Sequence, residues 1–124
     1  MKFKLLSLAV LGSAISLSAQ QGYYDGVEYY RADQPEEATI ILEKTISDPS
    51  TDKAVANYYL GQIRLQAGNI AEAQKYFDAG LAANPENGYN YVGLGAIALR
   101  QGNKSAAETQ FKKAKSLAKK DADL

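Results

Sequence analysis

The chain is 124 residues long and carries no net charge, 14 Lys and Arg balancing 14 Asp and Glu, and it contains no Cys, His or Trp. That length suits one small domain, and the missing residue types exclude disulfides, thiolate nucleophiles, zinc–thiolate sites, imidazole bases and His-ligated metals. Without a basic excess the composition also speaks against a dedicated nucleic-acid binder. In chain order the first element reads as a targeting signal. Lys2 and Lys4 precede the 13-residue run Leu5 to Leu17, and Ser18 and Ala19 follow it. A positive start, a short apolar stretch and a small-residue junction are the three parts of a secretory signal peptide. The run contains three serines and stops at Gln20-Gln21, short of the ~20 apolar residues of a spanning helix. Residues 1–19 are therefore expected to be cleaved, with no nearby Cys to take a lipid, leaving a mature chain of about 105 residues in the periplasm or otherwise exported.

The remainder repeats. Gly61 returns as Gly95, Gly68-Asn69 as Gly102-Asn103, Ala73 as Ala107 and Phe77 as Phe111, each 34 residues later. Upstream, Gly26, Ala38 and Leu42 precede Gly61, Ala73 and Phe77 by 35, which places one extra residue between Asp48 and Lys53. Self-similarity at this period is the signature of stacked supersecondary units. Three copies result, about 21–53, 54–87 and 88–121.

Each copy reads as two helices. In the first, a helix over about 22–32 precedes Asp33-Gln34-Pro35-Glu36-Glu37, which opens the second helix with proline in its first turn and carboxylates at the positive end of the dipole. In the second, Ala54 to Gln66 ends at Gly68 as a C-terminal cap, and Asn69 is placed to cap Ile70 to Ala83. Asn84-Pro85 stops that helix, because the residue before proline is pushed out of the helical region. Asn87, Gly102 and Asn103 take the same parts in the third copy. No segment alternates with period two, so no strand is expected.

A 34-residue helix-turn-helix unit with Leu60-Gly61, Ala73, Phe77 and Pro85 in one copy, and Tyr91, Leu94-Gly95, Ala98, Ala107, Phe111 and Ala114 in the next, resembles the tetratricopeptide repeat (TPR). The resemblance covers the whole of the expected mature chain. It departs from the family pattern where no Trp opens a repeat, Arg64 stands at an aromatic position, Gly80 replaces an alanine and Pro49 is displaced. It implies an all-α fold of three antiparallel hairpins stacked as a short right-handed solenoid, and a small secreted bacterial protein. Gly26, Ala38, Leu42, Gly61, Ala73, Phe77, Pro85, Gly95, Ala107 and Phe111 become the structural repeat positions. First helices would line a concave groove with Tyr23, Val27, Tyr30 and Arg31, then Tyr58, Gln62 and Leu65, then Tyr89, Val92, Leu99 and Arg100. Eight of the nine tyrosines lie in first helices, and tyrosine suits recognition surfaces because it joins apolar area to a hydroxyl. The clamp that TPR domains use on acidic chaperone tails is missing, since Tyr23, Val27, Tyr59, Tyr89 and Gly93 stand at its positions.

Charge is segregated along the chain: residues 20–87 sum to −6 and residues 88–124 to +4. The last helix is expected to bury Ala107, Phe111, Ala114 and Ala118 and to expose Lys112, Lys115 and Lys119. Glu36-Glu37 suits a helix start rather than catalysis, Gly93-Leu94-Gly95 lies within a helix and is no phosphate loop, and Asn103-Lys104-Ser105 serves the repeat's turn. The expected function is non-enzymatic, with no metal and no cofactor: a protein-interaction module of the bacterial cell envelope that binds a peptide or protein segment in the tyrosine-rich groove. A scaffold or homo-oligomer built through oppositely charged ends is the alternative. Neither nucleic acid nor a membrane span belongs to this expectation.

Overall fold

The computed structural model describes residues 22–122; the expected signal segment, residues 1–19, lies outside them. The described residues form helices joined by short turns, with no strand among them. The helix α1 is described over residues 22–31, followed by α2 (Pro35–Thr45), α3 (Lys53–Gln66), α4 (Ile70–Ala83), α5 (Gly88–Arg100) and α6 (Lys104–Ala122). The described residues divide into two compact units at the boundary of the first and second repeats, one ending at Asp52 and the other beginning at Lys53.

In the first unit α1 and α2 form a hairpin closed by Gly26 against Leu42, where an added Cβ would come within 2.7 Å of Leu42 Cγ. Ala38 and Leu42 are completely buried. Pro35 begins α2, where a missing N–H costs nothing, and Glu36 and Glu37 sit in its first turn. The following loop is held by its own polar groups. Thr51 Oγ1 donates to the Thr45 carbonyl at 2.7 Å, and Asp48 accepts from the Ser50 hydroxyl and backbone N–H. Those two donors favour the ionised form and hold the Asp48 carboxyl below the usual range.

The second unit consists of the hairpins α3–α4 and α5–α6, and α5 also packs on both α3 and α4. Leu65, Ala73, Phe77 and Ile97 form the core, with Tyr58, Ile70, Leu94 and Ala96 packed around it. Burying a ring such as Phe77 stabilises by ~2–3 kcal/mol. The Phe77 ring lies against two glycines, Gly61 of its own hairpin and Gly93 of the next; a Cβ on either would overlap the ring. Gly95 stands to Phe111 as Gly61 does to Phe77, which is why these markers recur together. Gly68 (φ 83°) and Gly102 (φ 75°) turn the chain at the helix ends in the left-handed region.

Asn87 Oδ1 accepts from the Asn90 N–H and Asn103 Oδ1 from the Ala106 N–H, capping α5 and α6. Asn69 makes no such bond, a correction to its expected capping role. The buried face of α6 also differs from expectation. Ala107, Ala114 and Leu117 are buried, Phe111 is half-buried, and Ala118 is exposed. Arg64, at the aromatic position of the repeat, pairs through Nε with Glu72 at 3.2 Å and so ties α3 to α4.

Candidate functional site

Asn90 sets α5 on its neighbours. Its fully buried amide donates through Nδ2 to the Ala54 carbonyl at 3.0 Å and to Asn87 Oδ1 at 3.1 Å. Gly80 makes the room, since a Cβ there would meet the Asn90 side chain. This explains why glycine stands at the alanine position of the repeat. Nothing in the periodic pattern marked Asn90, because its partner lies 36 residues away on another hairpin.

So positioned, α3 and α5 present an aromatic and aliphatic strip. Tyr58 is half-buried, its ring centroid 6.2 Å from that of Phe77 and 5.3 Å from that of Tyr89. Tyr59 meets Tyr58 edge-on at 5.1 Å. Gln62 Nε2 donates to the Tyr58 hydroxyl at 3.0 Å and orients it. The rings thus run from the core at Phe77 to solvent at Tyr89, which is 62% exposed. Along α5 the strip continues at helical spacing through Val92 and Ala96 to Leu99, which is 52% exposed. At its far end Arg100 Nη1 donates to the Leu65 carbonyl at 2.7 Å. The guanidinium sits at the negative end of α3 with further N–H groups directed elsewhere. An apolar side chain or ring could stack on Tyr89 and lie along Val92 and Leu99 while an acceptor met Arg100.

Of the residues expected to line the groove, Tyr58, Gln62, Tyr89, Leu99 and Arg100 come together here. Leu65 does not: it is 3% exposed and belongs to the core, contributing only its carbonyl to the strip. In the first unit Tyr23 is 7% exposed and Val27 is likewise buried, so neither offers an open surface. Tyr30 is half-buried, and Arg31 is exposed and paired with Glu28 at 2.6 Å. The Tyr91 hydroxyl, also among the first-helix tyrosines, donates to the Pro85 carbonyl at 3.1 Å and holds the turn before α5. Among the described residues no three of His, Cys, Asp and Glu cluster to hold a metal ion. None of the described helices is long and apolar enough to cross a membrane.

The profile of a family described as tetratricopeptide repeat matches residues 58–122. No curated protein matches the sequence. Among solved structures the fold is similar to that of MamA, with a TM-score of 0.70 and 24% identity, over 86% of this chain and 61% of that one. It is also similar to PcrH in complex with the chaperone binding region of PopB, with a TM-score of 0.70 and 23% identity, over 82% of this chain and 81% of that one. The chain spans less than two thirds of the MamA structure. At these identities the likeness is one of fold.

Proposed function

Because this chain belongs to the tetratricopeptide repeat family, we propose that it is a non-enzymatic protein-interaction module of the bacterial cell envelope that holds a peptide or protein segment on the α3–α5 strip. The observation that carries this reading is the exposed set Tyr89, Val92 and Leu99, continuous with Tyr58 and bounded by Arg100. A few rigid aromatic anchors supply most of the affinity in such contacts, and Tyr89 has the area and the single polar handle for that role. PcrH, of the same fold, was solved with a segment of PopB, and the present chain would use its own strip in a comparable way. The charged N-terminus and apolar run at Lys2 to Leu17 support export to the envelope.

A photo-crosslinking residue placed at Leu99 in intact cells should capture one envelope protein, and the same residue at Lys112 on α6 should not. Adding Tyr89→Ala should lower the Leu99 capture ~30-fold, the effect of losing one anchor of ~2 kcal/mol. Circular dichroism should stay helical, since both side chains are exposed. Capture that ignores Tyr89→Ala, or that is equal from Lys112, overturns the proposal.

A further inference from the structure

The surface on which α5 sits in the second unit has a counterpart on the hairpin that follows. Ala54, Tyr58, Phe77 and Gly80 receive α5 through the Asn90 amide, the Tyr89 ring and the bare backbone of Gly93. Thirty-four residues on, the equivalent positions are Gly88, Val92, Phe111 and Ala114. Within the second unit α6 packs only on α5, so no helix of that unit occupies this second seat. Val92 is exposed, and Phe111 is half-buried where Phe77 is completely enclosed. Gly88, Tyr89, Val92, Ala114, Ala118 and Asp121 line an open cleft there. The small residues leave backbone accessible to a helix, as Gly61 and Gly93 do around Phe77.

Charge selects what can fill it. The α6 helix carries Lys104, Lys112, Lys113, Lys115, Lys119 and Lys120 against Glu108 and Asp121, a net +4. Two such faces brought together would repel, which disfavours a two-fold pairing of this surface with itself. The opposite sign is found in the same chain. Residues 22–52 hold eight acids and two bases, a net −6. Their hairpin exposes Tyr24, Tyr29 and Ile40 beside Glu28, Glu36 and Glu37, which are exposed too.

We propose that the α5–α6 seat binds the acidic α1–α2 hairpin of a second copy of this chain, head to tail. Such a contact uses two different surfaces, so it passes from copy to copy and builds rings or open chains as concentration rises. The long-range part is electrostatic and is screened by salt. The seat shares Tyr89 and Val92 with the strip proposed above for peptides, but Ala118 lies on the seat alone and Leu99 on the strip alone, so the two are separable by mutation there.

Sedimentation velocity on the purified protein tests this at ~0.01 M and ~1 M salt, where the Debye length is ~30 and ~3 Å. The average mass should rise with concentration at low salt and fall toward the monomer at high salt. Ala118→Glu, which puts a negative charge on the seat against the acidic hairpin, and the pair Glu36→Lys with Glu37→Lys, which cuts the net charge of residues 22–52 from −6 to −2, should each give monomers. Mixed one to one, the two variants should form a heterodimer that grows no further, since each supplies its one intact surface; this also shows that both are folded. A monomer under all conditions, an association that salt does not weaken, one that survives Ala118→Glu, or a mixture that stays monomeric would each overturn the proposal. Ala118→Glu should leave the Leu99 crosslink unchanged, so failure here and failure of the peptide-binding reading give different results.

Discussion

At Asp33 the backbone takes a φ of 59°, the only positive value at a non-glycine residue among those described. Gly68 and Gly102 stand at the equivalent turns of the later repeats, 35 and 69 residues on. Asp tolerates the left-handed region better than most residues, yet its Cβ still crowds the following carbonyl at a cost of ~1–2 kcal/mol. Replacing Asp33→Gly should therefore raise stability by about 1 kcal/mol, read as a higher urea midpoint at unchanged slope; no change or a lower midpoint would contradict it. Gly93 makes the opposite case. Its missing side chain admits the Phe77 ring, and Gly93→Ala should destabilise by ~1–3 kcal/mol through overpacking. Urea unfolding checks this, with Ser116→Ala on exposed α6 as the control expected to change little. The Gly61–Phe77 and Gly95–Phe111 pairs were legible from their common spacing, because both partners lie in one repeat. Gly93 and Asn90 were not, because each meets a residue of a different hairpin and has no periodic counterpart of its own type.

At the scale of elements the helix boundaries followed from local chemistry: glycine where φ is positive, proline where an N–H is dispensable, asparagine where a helix begins. Asn69 shows the limit, since the residue type that caps α5 and α6 leaves α4 without a side-chain cap bond. On α6 the apolar positions admit two registers, ending at Leu117 or at Ala118, which differ by one residue or about 100° of rotation. Packing against α5 turned Leu117 inward and left Ala118 on the open seat. The end of α6 is also tied back to the turn before α5, Lys120 Nζ donating to Glu86 Oε1 at 3.0 Å. That hydrogen bond, reinforced by the attraction between the two opposite charges, holds the Glu86 carboxyl below and the Lys120 ammonium above its usual range. The contribution of Glu86 is present above its unfolded-state pKa and is lost as pH falls through its lower folded value. That of Lys120 is present below its unfolded-state pKa and is lost as pH rises through its higher folded value. Both groups are exposed, so the effect on stability is small and screened, and the direct measurement is a carboxyl NMR titration. Glu86 should titrate below the usual carboxylate range and move upward in Lys120→Ala; a midpoint unmoved by that change would show that the pair does not form in solution.

Taken whole, the molecule resolves a neutral composition into a positively charged start, an acidic hairpin and a basic last helix. Charge placement along a chain is written in the sequence. The 34-residue period, the all-helical character and the lack of the residue types that most sites of chemistry require were equally available there, because each depends on residue identity and local spacing alone. Which tyrosines face solvent was decided only by tertiary structure. Tyr23 and Tyr58 occupy matching positions and Tyr89 stands three residues, about one helical turn, before the next match at Val92, yet the three are respectively buried, half-buried and exposed. Leu65 and Leu99, 34 residues apart, divide in the same way: one is closed into the core of the second unit, the other left open on α5. Position in a repeat determines the direction in which a side chain points; the neighbouring hairpin that covers it, or does not, determines whether it is core or surface.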